Sequence, residues 1–278
     1  VEHMVASESA ALDVIGFELV RDVAPGEAIY ISEQGQLSSL QCADNPKLCP
    51  CIFEYVYFAR PDSIIDGASV ELARQEAGKY LSIEHPVGAD VVIGVPDSGI
   101  PAAIGYAKFS GIPYGVGLIK NRYIARTFIQ PGQDKRERSV RLKLNALRTA
   151  IEGKRVIMVD DSIVRGTTSG KIVRMLRAAG AKAVYMCVSS PPIGYPCFYG
   201  IDTSIRKELI AATKSVEEIR EYIGADGLHF LSIEGLKQCV DCVHADDMCY
   251  ACFNSAYPVA QGERPAGDSK YVFEQRKC

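Results

Sequence analysis

No apolar run in this 278-residue chain approaches the roughly 20 residues that a membrane-spanning helix needs. Nor is there an excess of positive charge. The 31 Lys and Arg stand against 34 Asp and Glu, and the formal net charge of −3 argues against a dedicated nucleic-acid binder. The opening residues Val1-Glu2-His3-Met4 lack the charged-then-apolar pattern of a secretory signal, so a cytoplasmic location is the expectation. No internal repeat and no low-complexity tract interrupts the chain. What remains is globular, 47% hydrophobic and 23% charged, with ample core for one or two domains.

Cysteine is present in excess. The ten cysteines lie at 42, 49, 51, 187, 197, 239, 242, 249, 252 and 278. Without a secretory signal, metal ligation explains such clustering better than a disulfide framework does. Cys239-Val240-Asp241-Cys242 and Cys249-Tyr250-Ala251-Cys252 are two C-x-x-C units, and the six residues between them are too few for the usual zinc-ribbon spacing. Thiolate-only ligation also suits an iron–sulfur cluster.

Residues 1–60 read as β-rich. Gly16–Val20 and Ala28–Ile31 flank a Pro25-Gly26 turn that suggests a hairpin, and Tyr55–Ala59 reads as a further strand. From about residue 66, helix and strand alternate. Helices are expected over Val70–Ile83, Pro101–Phe109, Val140–Ile151 and Lys171–Ala179. Strands are expected over Asp90–Val95, Pro113–Ile119, Val156–Val159 and Ala183–Val188. Such alternation predicts an α/β fold, a parallel sheet covered on both faces by helices, with ligands gathering at the carboxyl ends of its strands. After Ser189 three prolines loosen the pattern. Helical segments follow near 205–225 and 233–240, and the tail from 241 is irregular and reads as pinned by cysteine ligation.

The most informative stretch is Val156–Thr168. Four apolar residues lead into Asp160 and Asp161, then into a loop of Gly and hydroxyl residues, Ser162, Val164, Arg165, Gly166, Thr167 and Thr168. This is a buried strand ending in an acidic pair and running into a helix N-terminus, where free backbone N–H groups bind anions. Gly166 lets the backbone approach closely, and the hydroxyls add donors. The adjacent carboxylates suit sugar hydroxyls or a hydrated Mg²⁺. A phosphate cradle beside a diol or metal site suits a ribose 5-phosphate. Taken alone, a strand ending in Asp-Asp is also common as a purely structural feature.

Two further segments sit at the same end of the pattern. Val95-Pro96-Asp97-Ser98-Gly99-Ile100 follows a strand and opens a helix, so its small residues let N–H groups face an anion. Lys120-Asn121-Arg122-Tyr123-Ile124-Ala125-Arg126 opens a long connection. From Lys120 to Lys143 it holds eight Lys or Arg against two acids, a local excess of +6. A solvated basic face accounts for most charge runs. Here the run joins two core elements and carries Tyr123, Phe128 and Ile129, which suggests a lid over a polyphosphate.

These segments resemble the type I phosphoribosyltransferases, and within them the glutamine phosphoribosylpyrophosphate amidotransferase family in its iron–sulfur, Bacillus-like branch. Phe58-Ala59-Arg60-Pro61-Asp62-Ser63, Ser189-Ser190-Pro191-Pro192 and Cys197-Phe198-Tyr199-Gly200-Ile201-Asp202 add to the resemblance, which covers nearly the whole chain. It implies formation of 5-phosphoribosylamine and pyrophosphate from phosphoribosyl pyrophosphate and ammonia, the first committed step of purine synthesis, with purine nucleotides as inhibitors.

The resemblance also implies the site residues. Asp160, Asp161 and Arg126 would be catalytic. Asp97, Ser98, Gly99, Lys120, Arg122, Ser162, Val164, Arg165, Gly166, Thr167 and Thr168 would bind substrate. Ser98, Asp160 and Asp161 would hold Mg²⁺, and Cys51, Cys197, Cys249 and Cys252 would hold a [4Fe–4S] cluster. Cys239 and Cys242 have no assigned counterpart, and Cys49 is the nearest rival to Cys51. The division implied is 1–60 as the end of a glutaminase domain and a linking β segment, 61–205 as the transferase core, and 206–278 as helices and cluster-binding tail. A homo-oligomer is expected.

The family's glutaminase domain, with its N-terminal cysteine nucleophile, has no counterpart here, and Ala10 stands where related sequences carry cysteine. Ammonia-dependent transfer without glutamine hydrolysis is therefore expected, with the glutaminase as a missing domain or subunit. Three rivals would keep part of the pattern: a purine-salvage transferase, a non-enzymatic phosphoribosyl pyrophosphate sensor, and a zinc module built on the paired C-x-x-C units.

Overall fold

The computed structural model describes residues 2–121, 144–201, 203, 205–241 and 245–259. Helix α1 (Ser9–Val14) is followed by an antiparallel hairpin of β1 (Glu27–Ile31) and β2 (Leu37–Gln41), and then by a π-helical turn over Glu54–Phe58. A two-residue pair, β3 (Ile64–Ile65) and β4 (Ala68–Ser69), turns the chain into α2 (Val70–Glu84). The α/β body comprises β5 (Val91–Gly94), α3 (Gly99–Ser110), β6 (Leu118–Lys120), β7 (Leu144–Ala146), α4 (Arg148–Ile151), β8 (Arg155–Asp160), α5 (Thr167–Ala178) and β9 (Ala183–Val188). It continues with α6 (Val216–Ile223), β10 (Gly227–Phe230) and α7 (Ile233–Lys237), and α8 (Ala251–Asn254) lies in the tail.

Four strands form the parallel sheet, in the order β10-β9-β8-β5. Their side chains alternate between two cores, as a period of two requires. Val92, Ile157, Val159 and Cys187 face the side of α2 and α3, whereas Ile93, Val156, Met158, Val184 and Met186 face α5 and α6. Helix α5 presents Ser169, Ile172, Val173 and Leu176 to that second core, the spacing that puts four side chains on one helical face. Helices α2 and α3 cross closely because both carry glycine at the contact. A Cβ on Gly78 would strike the Ala102 carbonyl, and one on Gly105 would strike that of Gln75.

The expected parallel sheet with helices on both faces is present. Several local expectations are corrected. Residues 16–20 form no strand. β1 pairs instead with the segment that follows it, across a tight loop closed by Gly35 N–H donating to the Ser32 carbonyl at 2.9 Å, with Gly35 at φ 73°. A nearer partner and a residue suited to the turn outcompete the longer Pro25-Gly26 connection. The N-terminal segment is thus one hairpin joined to helical turns rather than broadly β-rich.

Tyr55–Ala59 is not a strand. Its Ala59 N–H donates to the Glu54 carbonyl at 3.1 Å, five residues back, and the buried Arg74 guanidinium takes the carbonyls of Tyr55 at 2.7 Å and Ala59 at 2.8 Å. Tertiary capture of carbonyls overrides the aromatic and β-branched preference for a strand. The strand expected over Pro113–Ile119 is reduced to a single bridge, Val92 with Tyr114, and to β6. Of the helix expected over Val140–Ile151, residues 140–143 lie outside the described residues, 144–146 pair antiparallel with β6, and only Arg148–Ile151 is helical. The helical segment near 205–225 is two 3₁₀ turns followed by α6, and β10 joins the sheet where no strand was expected.

Candidate functional site

Parallel pairing brings the ends of β5 and β8 side by side, with Val95 N–H donating to the Val159 carbonyl at 2.9 Å. Beyond those ends lie the two acidic residues. Asp160 and Asp161 are 8% and 6% exposed, unusual burial for adjacent carboxylates. Asp161 accepts hydrogen bonds from Ser98 Oγ and Ser162 Oγ, both at 2.5 Å, and its own N–H donates to Asp160 Oδ1 at 3.0 Å. Burial pushes both carboxyls above the ordinary aspartate range. For Asp160 the neighbouring Asp161 adds repulsion, and for Asp161 the two serine hydroxyls oppose the rise. Two buried carboxylates and a hydroxyl form a hard-oxygen donor set, and a divalent cation would relieve their repulsion; the residues therefore fit Mg²⁺.

The β5 loop reaches this pair because its glycines admit close backbone. A Cβ on Gly99 would lie 2.5 Å from the Val159 carbonyl oxygen, and one on Gly94 would lie 2.8 Å from Ile100 Cα. The Pro96–Asp97 peptide is cis. Asp97 is ion-paired with Lys120 through Nζ and Oδ2. Both side chains are well exposed, so a ligand's phosphate can compete for the lysine.

On the β8 side, Gly166 adopts φ 72° as the N-cap of α5 and leaves the helix N-terminus open, with Thr167 and Thr168 exposed beside it. Val164 carbonyl accepts from Ile210 N–H at 2.9 Å, which ties the loop to the 3₁₀ turn, and Arg165 pairs with Glu208. Asp97, Ser98, Gly99, Lys120, Asp160, Asp161 and Ser162 to Thr168 therefore lie at and just beyond the carboxyl ends of β5, β6 and β8. Arg122 and Arg126 lie outside the described residues.

Two features escaped sequence reasoning. Arg74, 4% exposed on α2, holds the π-helical turn through the Tyr55 and Ala59 carbonyls. Its signal was present, since it shares the core-facing spacing of Val70, Ala73, Ala77 and Leu81, where a cation needs internal partners. Ser189 Oγ donates to the Asp160 carbonyl at 3.3 Å, and the buried Ser190 Oγ has no hydrogen-bond partner among the described residues.

A second constellation lies on the far side of the π-helical turn. Cys51 and Cys249 form an isolated parallel bridge, with Cys249 N–H donating to the Pro50 carbonyl at 2.9 Å. The Cys252 carbonyl accepts from the N–H groups of Gly194 and Tyr195, each at 3.1 Å, which draws the loop carrying Cys197 to the tail. Cys49, Cys51, Cys197, Cys249 and Cys252 all line one cavity of about 930 Å³. Burial pushes the Cys51 thiol up to about 11 and raises Cys252 further, and in both cases neighbouring thiols add to the shift.

Among the described residues no three His, Cys, Asp or Glu gather tightly enough for a single metal ion. An all-thiol set spread around a cavity fits a larger polynuclear group, whose sulfurs stand farther apart than the roughly 4 Å set by one tetrahedral ion with 2.3 Å bonds. The two C-x-x-C units are not joined through Cys239, which is buried away from this cavity and donates to the Gly235 carbonyl at 3.2 Å. Cys242 lies outside the described residues.

Residues 71–192 match the phosphoribosyl transferase domain family. The chain carries a phosphoribosyltransferase domain. That domain contains the acidic pair, the Gly166 loop and the Asp97–Gly99 loop, while the four cysteines assigned by resemblance lie outside it. The chain is 57% identical over 259 residues to an amidophosphoribosyltransferase of Bacillus subtilis, covering 92% of this chain and 54% of that one. It is 55% identical over 259 residues to an amidophosphoribosyltransferase of Archaeoglobus fulgidus, covering 93% and 56%.

A solved structure of glutamine phosphoribosylpyrophosphate amidotransferase from B. subtilis, complexed with ADP and GMP, superposes with a TM-score of 0.82 at 57% identity, over 91% of this chain and 56% of that one. The chain thus corresponds to the phosphoribosyltransferase half of these proteins and spans about half their length.

Proposed function

We propose that this chain is an amidophosphoribosyltransferase that displaces pyrophosphate from C1 of phosphoribosyl pyrophosphate with ammonia, forming 5-phosphoribosylamine at the first step of purine synthesis. The observation that carries this reading is the buried Asp160–Asp161 pair set between the Ser98 loop and the Gly166-capped helix. Such a site offers carboxylates to a ribose diol and open N–H groups to its 5-phosphate, within one short stretch of chain.

Ammonia is already nucleophilic, so the site needs no strong general base, and its work is positioning and charge stabilisation. Asp160 and Asp161 hold the ribose hydroxyls and favour positive charge developing on the ring. Ser162, Val164, Arg165, Gly166, Thr167 and Thr168 cradle the 5-phosphate. Asp97, Ser98 and Gly99 shape the pyrophosphate loop, where Lys120 exchanges Asp97 for a phosphate. Arg122 and Arg126, outside the described residues, are assigned to a basic lid above it. Mg²⁺, held by Ser98, Asp160 and Asp161, supplies neutralisation of the leaving pyrophosphate when bound.

Cys51, Cys197, Cys249 and Cys252 are assigned to a [4Fe–4S] cluster whose role is structural, tying the irregular tail to the π-helical turn. The solved B. subtilis protein carries ADP and GMP, and purine nucleotides are accordingly proposed as regulators here, with Lys120, Arg122 and Ser162 as phosphate contacts. Residues 61–205 are the proposed core, 1–60 the link to a glutaminase domain or subunit, and 206–278 the cluster-binding tail. No described helix is long and apolar enough to cross a membrane, and the proposed setting is cytoplasmic.

The test is Asp161→Asn. Removing one carboxylate from the charge-stabilising pair should lower ammonia-dependent turnover by about 100-fold or more while the fold, read by circular dichroism, is unchanged. Undiminished turnover in that variant would remove the site from the mechanism.

A further inference from the structure

The thiol cavity holds one more cysteine than a four-thiol cluster uses. Cys49 precedes Pro50, and a residue before proline is driven to extended backbone. In extended chain, residues two apart share a face, so Cys49 and Cys51 are directed alike on either side of Pro50. The facing segment is Cys249. Its N–H donates to the Pro50 carbonyl at 2.9 Å, and its carbonyl accepts from Ile52 N–H at 3.4 Å, so this residue is paired with Cys51, at the end of Cys49-Pro50-Cys51.

Both cysteines line the same cavity as Cys197, Cys249 and Cys252. They differ in pairing, because only Cys51 is bridged to Cys249. None of the other cysteines with described positions, Cys42, Cys187 and Cys239, lines this cavity.

We propose that Cys49 is a spare ligand of the cluster site, able to take the place of Cys51, so that five sulfurs serve four positions. The inference rests on the reading of the thiol cavity as an iron–sulfur site. Soft iron binds chemically identical thiolates alike, so position alone decides between the two. Cys51, bridged to Cys249, is the resident ligand, and Cys49 is the replacement when Cys51 is lost or modified. Cys197, Cys249 and Cys252 have no such substitute among the described residues of the cavity.

The experiment measures iron, acid-labile sulfide and the visible absorption of anaerobically purified full-length protein, with circular dichroism to check folding. Wild type and Cys49→Ser should hold equal cluster. Cys51→Ser should retain a cluster with an altered electron paramagnetic resonance signal after reduction, because one thiolate has changed. The Cys49→Ser/Cys51→Ser double variant and Cys249→Ser should lose it. A folded Cys51→Ser protein as depleted as the double variant would overturn the proposal, and so would loss of the cluster on Cys49→Ser alone. Wild type without iron and sulfide would instead overturn the underlying cluster reading, and the spare ligand with it.

Discussion

Asp160 and Asp161 show how much chemistry a few residues concentrate. Their burial makes the pair costly as two anions, and the hydroxyls of Ser98 and Ser162 stabilise only Asp161. The pair is thus arranged for a cation or a developing positive charge, not for independent acid–base work. Gly166 is the other decisive residue. At φ 72° it occupies the left-handed region, and an added Cβ would stand 2.9 Å from Ile210 Cδ1 and close to the Tyr222 ring. Gly166→Ala should therefore cost roughly 1–2 kcal/mol in urea denaturation from backbone strain. It should also raise KM for phosphoribosyl pyrophosphate more than it lowers kcat, because the displaced loop is the proposed cradle of the non-reacting phosphate. An unchanged KM would show that the loop does not contact substrate.

At the scale of elements, the sheet depends on how β5 and β8 start as well as on how they end. Asp90 accepts from the backbone N–H of Arg155 at 2.8 Å and from its guanidinium at 2.8 and 3.2 Å, which sets the register at the end remote from the site. These bonds hold the Asp90 carboxyl down to about 2. A depressed carboxylate stabilises the fold above its unfolded pKa, and that stabilisation is lost as pH falls toward 2. Asp90→Asn should lower the melting temperature at pH 7 and lose its difference from wild type on acidification from about pH 4 toward 2. A difference independent of pH would mean that the ion pair contributes nothing through charge.

The α2–α3 crossing is the second element-scale lever. Gly78→Ala forces a methyl into the Ala102 carbonyl and should destabilise the protein by ~1–3 kcal/mol, read as a lower denaturation midpoint at constant slope.

These elements also explain what was legible in the sequence. β8 and its acidic terminus could be read because a continuous apolar run, an acidic pair and a glycine-hydroxyl loop are local signals. The parallel sheet followed from alternation alone. The π-helical turn could not be read, because it depends on Arg74 reaching across from α2 to claim its carbonyls, a contact made only in the folded chain. β10 was missed for a similar reason. Gly227-Leu228-His229-Phe230 is short and weakly patterned, and it becomes a strand by pairing with β9. The thiol cavity was half legible. The cysteines and their clustering were visible, but the Cys51–Cys249 bridge that gathers them joins segments nearly two hundred residues apart.

On the scale of the whole molecule, the acidic-pair site and the thiol cavity are separate constellations, and Arg74 braces the π-helical turn that follows Cys51. Arg74→Met should strand the carbonyls of Tyr55 and Ala59 at ~1–3 kcal/mol each, read as a lower urea denaturation midpoint. The molecule also spans about half the length of the amidophosphoribosyltransferases that it matches.

The most direct test measures pyrophosphate release from phosphoribosyl pyrophosphate by anaerobically purified protein with Mg²⁺, comparing ammonium chloride with glutamine. Release with ammonium is the predicted result, from a transferase site that takes ammonia from solution. No release with either, from folded protein, would contradict the account.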